Sequence, residues 1–165
     1  MASAEALEAD DASQLFGVLD ERARNSIATM VKQRAAARSL IEADYPSSEK
    51  GPALAALGDA AQVSAPSELF ARRCGRGCMA TFADSVGPPA SEVVVGDEVE
   101  VTTLRGRTLH MHAGKDGQYG LVWNHPALGE EALQASRELA LIRDHAQIYR
   151  KQRALAQGTV VKPSE

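Results

Sequence analysis

Residues 124–158 read NHPALGEEALQASRELALIRDHAQIYRKQRALAQG. Positions 128, 132, 135, 139, 142, 146, 149 and 156 of this stretch hold Leu, Ala, Ala, Leu, Ile, Ala, Tyr and Ala, with Arg153 interrupting the series. Steps of four and three residues bring side chains to one face of an α-helix, so the spacing predicts a long helix over residues 125–157 carrying a heptad seam. Asn124 is placed to cap it, Pro126 suits its first turn, and Gly158 is placed to stop it. The small residues on the seam allow a second helix to approach closely.

A partner for that seam lies at the other end of the chain. Between Ser13 and Asp44, Phe16, Leu19, Ala23, Ile27, Met30, Ala37 and Ile41 recur at helical spacing, with one gap at Arg34. A second long helix over residues 13–44 is expected, capped by Ser13 and ended by Tyr45-Pro46, because the residue before proline disfavours the α region. Residues 1–20 hold Glu5, Glu8, Asp10, Asp11 and Asp20 and no Lys or Arg, whereas Arg143, Arg150, Lys151, Arg153 and Lys162 crowd the other end. Antiparallel pairing of the two helices would set acid against base. The same signs also suit each helix dipole alone.

The segment between the helices changes character twice. Residues 46–91 read as irregular. Pro46 to Pro52 is a linker of turn-formers, residues 53–61 suit a short helix weakened at Gly58, and another helix starts near Pro66 and runs to about Arg73. Gly75 and Gly77 interrupt it, Met79 to Ala83 can resume it, and Gly87-Pro88-Pro89 breaks it again. From Glu92 the period becomes two. Val93, Val95, Val99 and Val101 form one strand, kinked or bulged at Gly96-Asp97; Arg107 to His112 forms a second and Tyr119 to Trp123 a third, with turns at Arg105-Gly106 and Gly114 to Gly117. The expected fold is therefore α+β and mainly helical: two long helices flank an irregular middle and a small three-stranded antiparallel sheet over residues 92–123. Residues 13–158 read as one domain, residues 1–12 as a disordered acidic N-terminus, and residues 159–165 as a flexible tail.

Composition narrows the function classes. The chain of 165 residues is 44% hydrophobic but only 4% aromatic, with net charge −4. An alanine-rich apolar share forms helix readily but buries little area per residue, so the core is thin and association can supplement it. The negative charge argues against general nucleic-acid affinity. No apolar run approaches the roughly 20 residues of a membrane span. An acidic N-terminus lacks the basic and apolar parts of a signal peptide. Two cysteines are too few for a secreted disulfide scaffold, so the chain reads as cytoplasmic, and a disulfide between them is not expected in a reducing compartment.

Three constellations could carry function. Leu139, Ile142, Tyr149, Arg150 and Arg153 on the last helix, with Trp123 by the sheet, combine the aliphatic, aromatic and arginine side chains that dominate protein interfaces. They point to a non-enzymatic interaction subunit, a scaffold, adaptor or assembly component, that uses the helical seam and a sheet edge to bind other protein subunits or itself. The plainer use of the seam is packing against the first long helix.

The second constellation is Arg72, Arg73 and Arg76 with Arg105 and Arg107, which could grip phosphates while Tyr119 and Trp123 stack bases. It makes an RNA-binding module the alternative. The run Val95 to Val101, with the turn and residues 117–123 after it, is loosely similar to small SH3-like barrels, a likeness of fold that does not transfer function.

The third is Cys74, Cys78, His110 and His112. Three residues separate the cysteines, and His-x-His on a strand puts both rings on one face, so a structural zinc could join the middle to the sheet, with His125 as a spare ligand. The plainer reading is a pair of ordinary thiols and a solvent-facing histidine pair, with no cofactor. A thiol-dependent enzyme, with either cysteine activated by His110, His112 or His145, is the remaining alternative. No nucleophile motif surrounds the cysteines, and the Gly-Arg-Gly segment lacks a phosphate-loop pattern.

Overall fold

The computed structural model describes residues 12–85, 87–115, 117–123 and 127–158. The expectations for the N-terminal and C-terminal segments, the Asn124 cap, Pro126 and His125 lie outside the described residues.

The first long helix is shorter than its spacing suggests. A turn of helix α1 (Ala12–Leu15) passes into a 3-10 turn at Phe16–Val18, and helix α2 starts at Glu21 and ends at Asp44. Leu19 is extended and bridges to Leu121, while the Asp20 N–H donates to the Leu121 carbonyl at 2.9 Å. Asp20 is also the cap of α2, since its Oδ1 accepts from the backbone of Arg22 at 2.8 Å and of Ala23 at 3.1 Å. Capping there satisfies the donors that a helix start leaves open. The uninterrupted helix over 13–44 is thus corrected at residues 16–20. The end at Tyr45-Pro46 is as expected, with Tyr45 extended.

The middle is far more regular than its composition implies. Helix α3 (Ser47–Ala56) occupies the expected linker and contains Pro52. Its Ala53 and Leu54 pack, with Leu57, on Ile41 and Leu139, and this burial outweighs the local penalty of proline. Helix α4 (Pro66–Ser85) starts at the proline as expected and is interrupted only at Gly75, whose φ of 54° is not helical. Leu69, Phe70, Cys74, Met79 and Phe82 give it a buried face on both sides of that kink.

The sheet has four antiparallel strands in the order β1 (Pro89–Val95), β2 (Glu98–Thr103), β3 (Thr108–Ala113) and β4 (Tyr119–Leu121), one more than expected. The difference arises at Gly96-Asp97. Instead of a bulge, these residues make a two-residue hairpin turn that pairs Val95 with Glu98. Gly96 takes a φ of 67°, which a side chain would resist and which such turns require. The other two turns fall where the glycines predicted them.

Helix α5 (Leu128–Gly158) closes the fold. Its seam packs on α2, as the plainer reading held: Leu128, Ala132 and Ala135 join a cluster with Leu15, Ile27, Met30, Leu69 and Phe70, and Leu139 and Ala146 join a second with Ile41, Tyr45 and Leu57. The direction, however, is parallel. Arg34 pairs with Glu138, Asp44 with Arg150, and Tyr45 stacks edge-on against Tyr149 at 5.0 Å. The antiparallel hairpin is corrected, because α4 returns the chain to the start of α2 and α5 departs from there. The basic end of α5 therefore meets the C-terminus of α2. Arg150 Nε donates to Asp44 Oδ2 at 2.8 Å, and Arg153 donates to Asp44 Oδ1 and to the carbonyls of Ala43 and Asp44. Those are carbonyls that the helix itself leaves without partners. Among the described residues no helix is long and apolar enough to cross a membrane.

Candidate functional site

Of the residues singled out for partner contact, Leu139 is buried, Ile142, Tyr149 and Trp123 are half-buried, and Arg150 and Arg153 are exposed. Leu139 is buried against Ile41, and Ile142 and Tyr149 pack half-buried on the same cluster. Tyr149 also donates to Glu49 of α3, whose nearby carboxylate pushes the phenol above its ordinary range. Arg150 and Arg153 are held by Asp44. Trp123 stands edge-on to Phe70 at 4.8 Å. These six side chains build the parallel helix pair and its junction with the sheet.

The arginines are divided in the same way. Arg73 is a structural strut: it donates to both carboxylate oxygens of Asp59, at 3.0 and 3.1 Å, and to Glu131, tying α4 to the 3-10 turn Asp59–Ala61 and to α5. The Arg73 hydrogen bond holds the Asp59 carboxyl below its ordinary range. Arg72 pairs with Glu68 one turn back along α4. Arg105 reaches the Ala83 carbonyl, while Arg76 and Arg107 are exposed.

Cys74 and Cys78 are bonded to each other in a disulfide, which corrects the expectation of two thiols. Sulfurs joined in this way are neither thiolate ligands nor nucleophiles. His110 and His112 do share one face of β3, opposite Glu100 and Glu98 of β2. His112 Nε2 hydrogen-bonds Asp97 at 2.7 Å, which draws that carboxyl below its ordinary range with help from Arg22. The two pairs are not brought to a common point, and no group of three or more His, Cys, Asp or Glu side chains suited to a metal gathers among the described residues.

What the structure leaves at the surface is different. The outer face of α5 carries Leu133, Leu141, Ile148 and Leu155 at 59, 60, 49 and 72% exposure. The last three recur every seventh residue, a second seam opposite the buried one. This spacing is as visible in the sequence as that of the buried set, but periodicity alone does not say which seam faces inward. Strand β1 is an edge strand whose every residue is exposed, Val93, Val94 and Val95 included. Such an edge offers backbone groups to another strand. No protein-family model matches this chain, and no curated protein or solved structure resembles it significantly.

Proposed function

We propose that the chain is a non-enzymatic interaction subunit that associates with a second copy of itself through the outer face of α5. The observation that carries the reading is the exposed aliphatic stripe at Leu133, Leu141 and Ile148. An aliphatic row on an outer helix face is what a helical partner buries. Charges flanking the stripe choose the direction. Glu130 and Arg137 lie toward its start and Asp144 and Lys151 toward its end, all exposed. Antiparallel copies crossing between Ala140 and Leu141 set Glu130 beside Lys151 and Arg137 beside Asp144, with Leu133 beside Ile148. Parallel copies would set like charges together, which disfavours them. A two-fold interface of this kind uses one patch twice.

Analytical ultracentrifugation tests it. The wild-type chain is expected to dimerise in the micromolar range, and the double variant Leu141→Asp with Ile148→Asp to sediment as a folded monomer. Arg137→Asp should weaken the dimer and Asp144→Arg in the same chain should restore it. A wild-type monomer throughout that range, or a dimer indifferent to both aspartates, would overturn the proposal.

A further inference from the structure

A cleft of about 800 Å³ opens between the start of α2 and the sheet. That is within the size range of small-molecule sites. Its walls are apolar: Leu15, Phe16, Leu19 and Phe82 on the helical side, Leu109 and Met111 on the sheet side. The alternation of β3 explains the second set, since the residues that face away from His110 and His112 must face the cleft. The cleft is separate from the outer face of α5, none of whose residues lines it.

The polar lining comprises Asn25, Gln118 and Tyr119 together with charged residues of unequal sign. Among the described residues Glu21, Arg24 and Lys115 are its charged lining, and Lys115 lies 4.0 Å from Glu21. Arg24 remains. Its Nε is buried and has no hydrogen-bond partner, the only such side-chain atom among the described residues. A guanidinium N–H shut away from water without an acceptor is costly, so such groups are found paired in almost every fold. That nitrogen is enclosed by the protein itself, but Arg24 lines the cleft and makes no ion pair among the described residues, so its charge is left for an acceptor bound there. The geometry points to a site for a small amphipathic carboxylate, whose anionic head pairs with Arg24 and whose hydrocarbon body lies on Leu109, Met111 and Phe82. A planar carboxylate matches the fork of a guanidinium, and it neutralises the unbalanced charge. An apolar molecule without an anionic head would leave Arg24 as it is, and a cation would meet it unfavourably.

Decanoate is the probe, compared with decanol, which has the same tail and no charge, both kept below micelle formation. Calorimetry should show saturable binding of one decanoate per chain, about tenfold tighter than decanol. Arg24→Gln should bring decanoate down to the level of decanol without altering the circular dichroism spectrum. Amide shifts in the wild-type protein give a reading that needs no variant: on adding decanoate they should concentrate at Leu19, Arg24, Leu109, Met111 and Leu121. Absence of saturation, equal affinity for the two probes, or shifts spread along α5 instead of this cleft would each overturn the assignment.

Discussion

Gly120→Ala is expected to destabilise the chain by about 3 kcal/mol, the upper range for overpacking a site that cannot expand. A methyl at this position would stand 2.7 Å from the Asp20 nitrogen and 2.8 Å from the Leu19 carbonyl oxygen, and closer still to the Asp20 Cα. All are backbone atoms, so no side chain can swing aside. They belong to the extended link that bridges to Leu121 and presents the Asp20 cap to α2. The substitution must either push β4 away or pull the cap from the helix. In a domain of this size the loss corresponds to a fall in Tm of about 6–12 °C. Gly129→Ala is the matched control, because nothing lies within 4 Å of a methyl there. It sits in the first turn of α5, where alanine is the better helix former, and should be neutral or mildly stabilising. Equal melting of the two variants would mean that the link at Leu19-Asp20 is not held against the sheet.

Phe70→Ala should cost about 4 kcal/mol. Phe70 is fully buried on α4, 6.3 Å from the Phe16 ring and 4.8 Å from Trp123. It is the side chain through which α4 touches both the 3-10 turn and the segment leading out of the sheet into α5. With aromatics so scarce, few other side chains are large enough to fill the space it leaves. Trp123 reports on the change directly: losing its edge-to-face neighbour should shift its fluorescence emission to the red before the global transition. Urea denaturation followed by both tryptophan emission and circular dichroism checks the two effects together. A midpoint within the error of wild type, with unshifted emission, would show that the three rings are not a shared core.

Neither change would be chosen from the sequence. Gly120 sits inside a strand candidate, where glycine is simply unfavourable, and only the approach of Leu19-Asp20 explains it. Phe70 is readable as one apolar residue on a short helix, but its partners come from positions 16 and 123. The same holds for the surfaces on which function is proposed. The seven-residue spacing of Leu141, Ile148 and Leu155 is plain in the sequence, yet an equally regular set at Leu128, Ala135, Ile142 and Tyr149 runs along the other side of the same helix. Once α2 covers the second, the first is left outside. Arg24 carries no local signal, since an arginine in the first turns of a helix is ordinary until its surroundings close over its nitrogen.

By itself the sequence determined what short-range chemistry determines. Residues at 3.6-fold spacing made the two long helices, period two from Glu92 onward made strands, and the turn glycines at Gly106 and Gly117 took positive φ where turns were expected. Proline after Tyr45 ended one helix, and Gly75 broke another. Tertiary structure decided the rest. It broke the first helix at Leu19, where β4 offered its backbone a partner, and it folded residues 47–56 into a helix despite Pro52, because Ala53 and Leu54 pack half-buried on the cluster around Ile41 and Leu139. It also set α2 and α5 parallel. The physical reason is common to all three: a local signal reports the preferences of a few neighbouring residues, whereas the partner of a face or a backbone group is fixed by the path of the roughly eighty residues between Asp44 and Leu128.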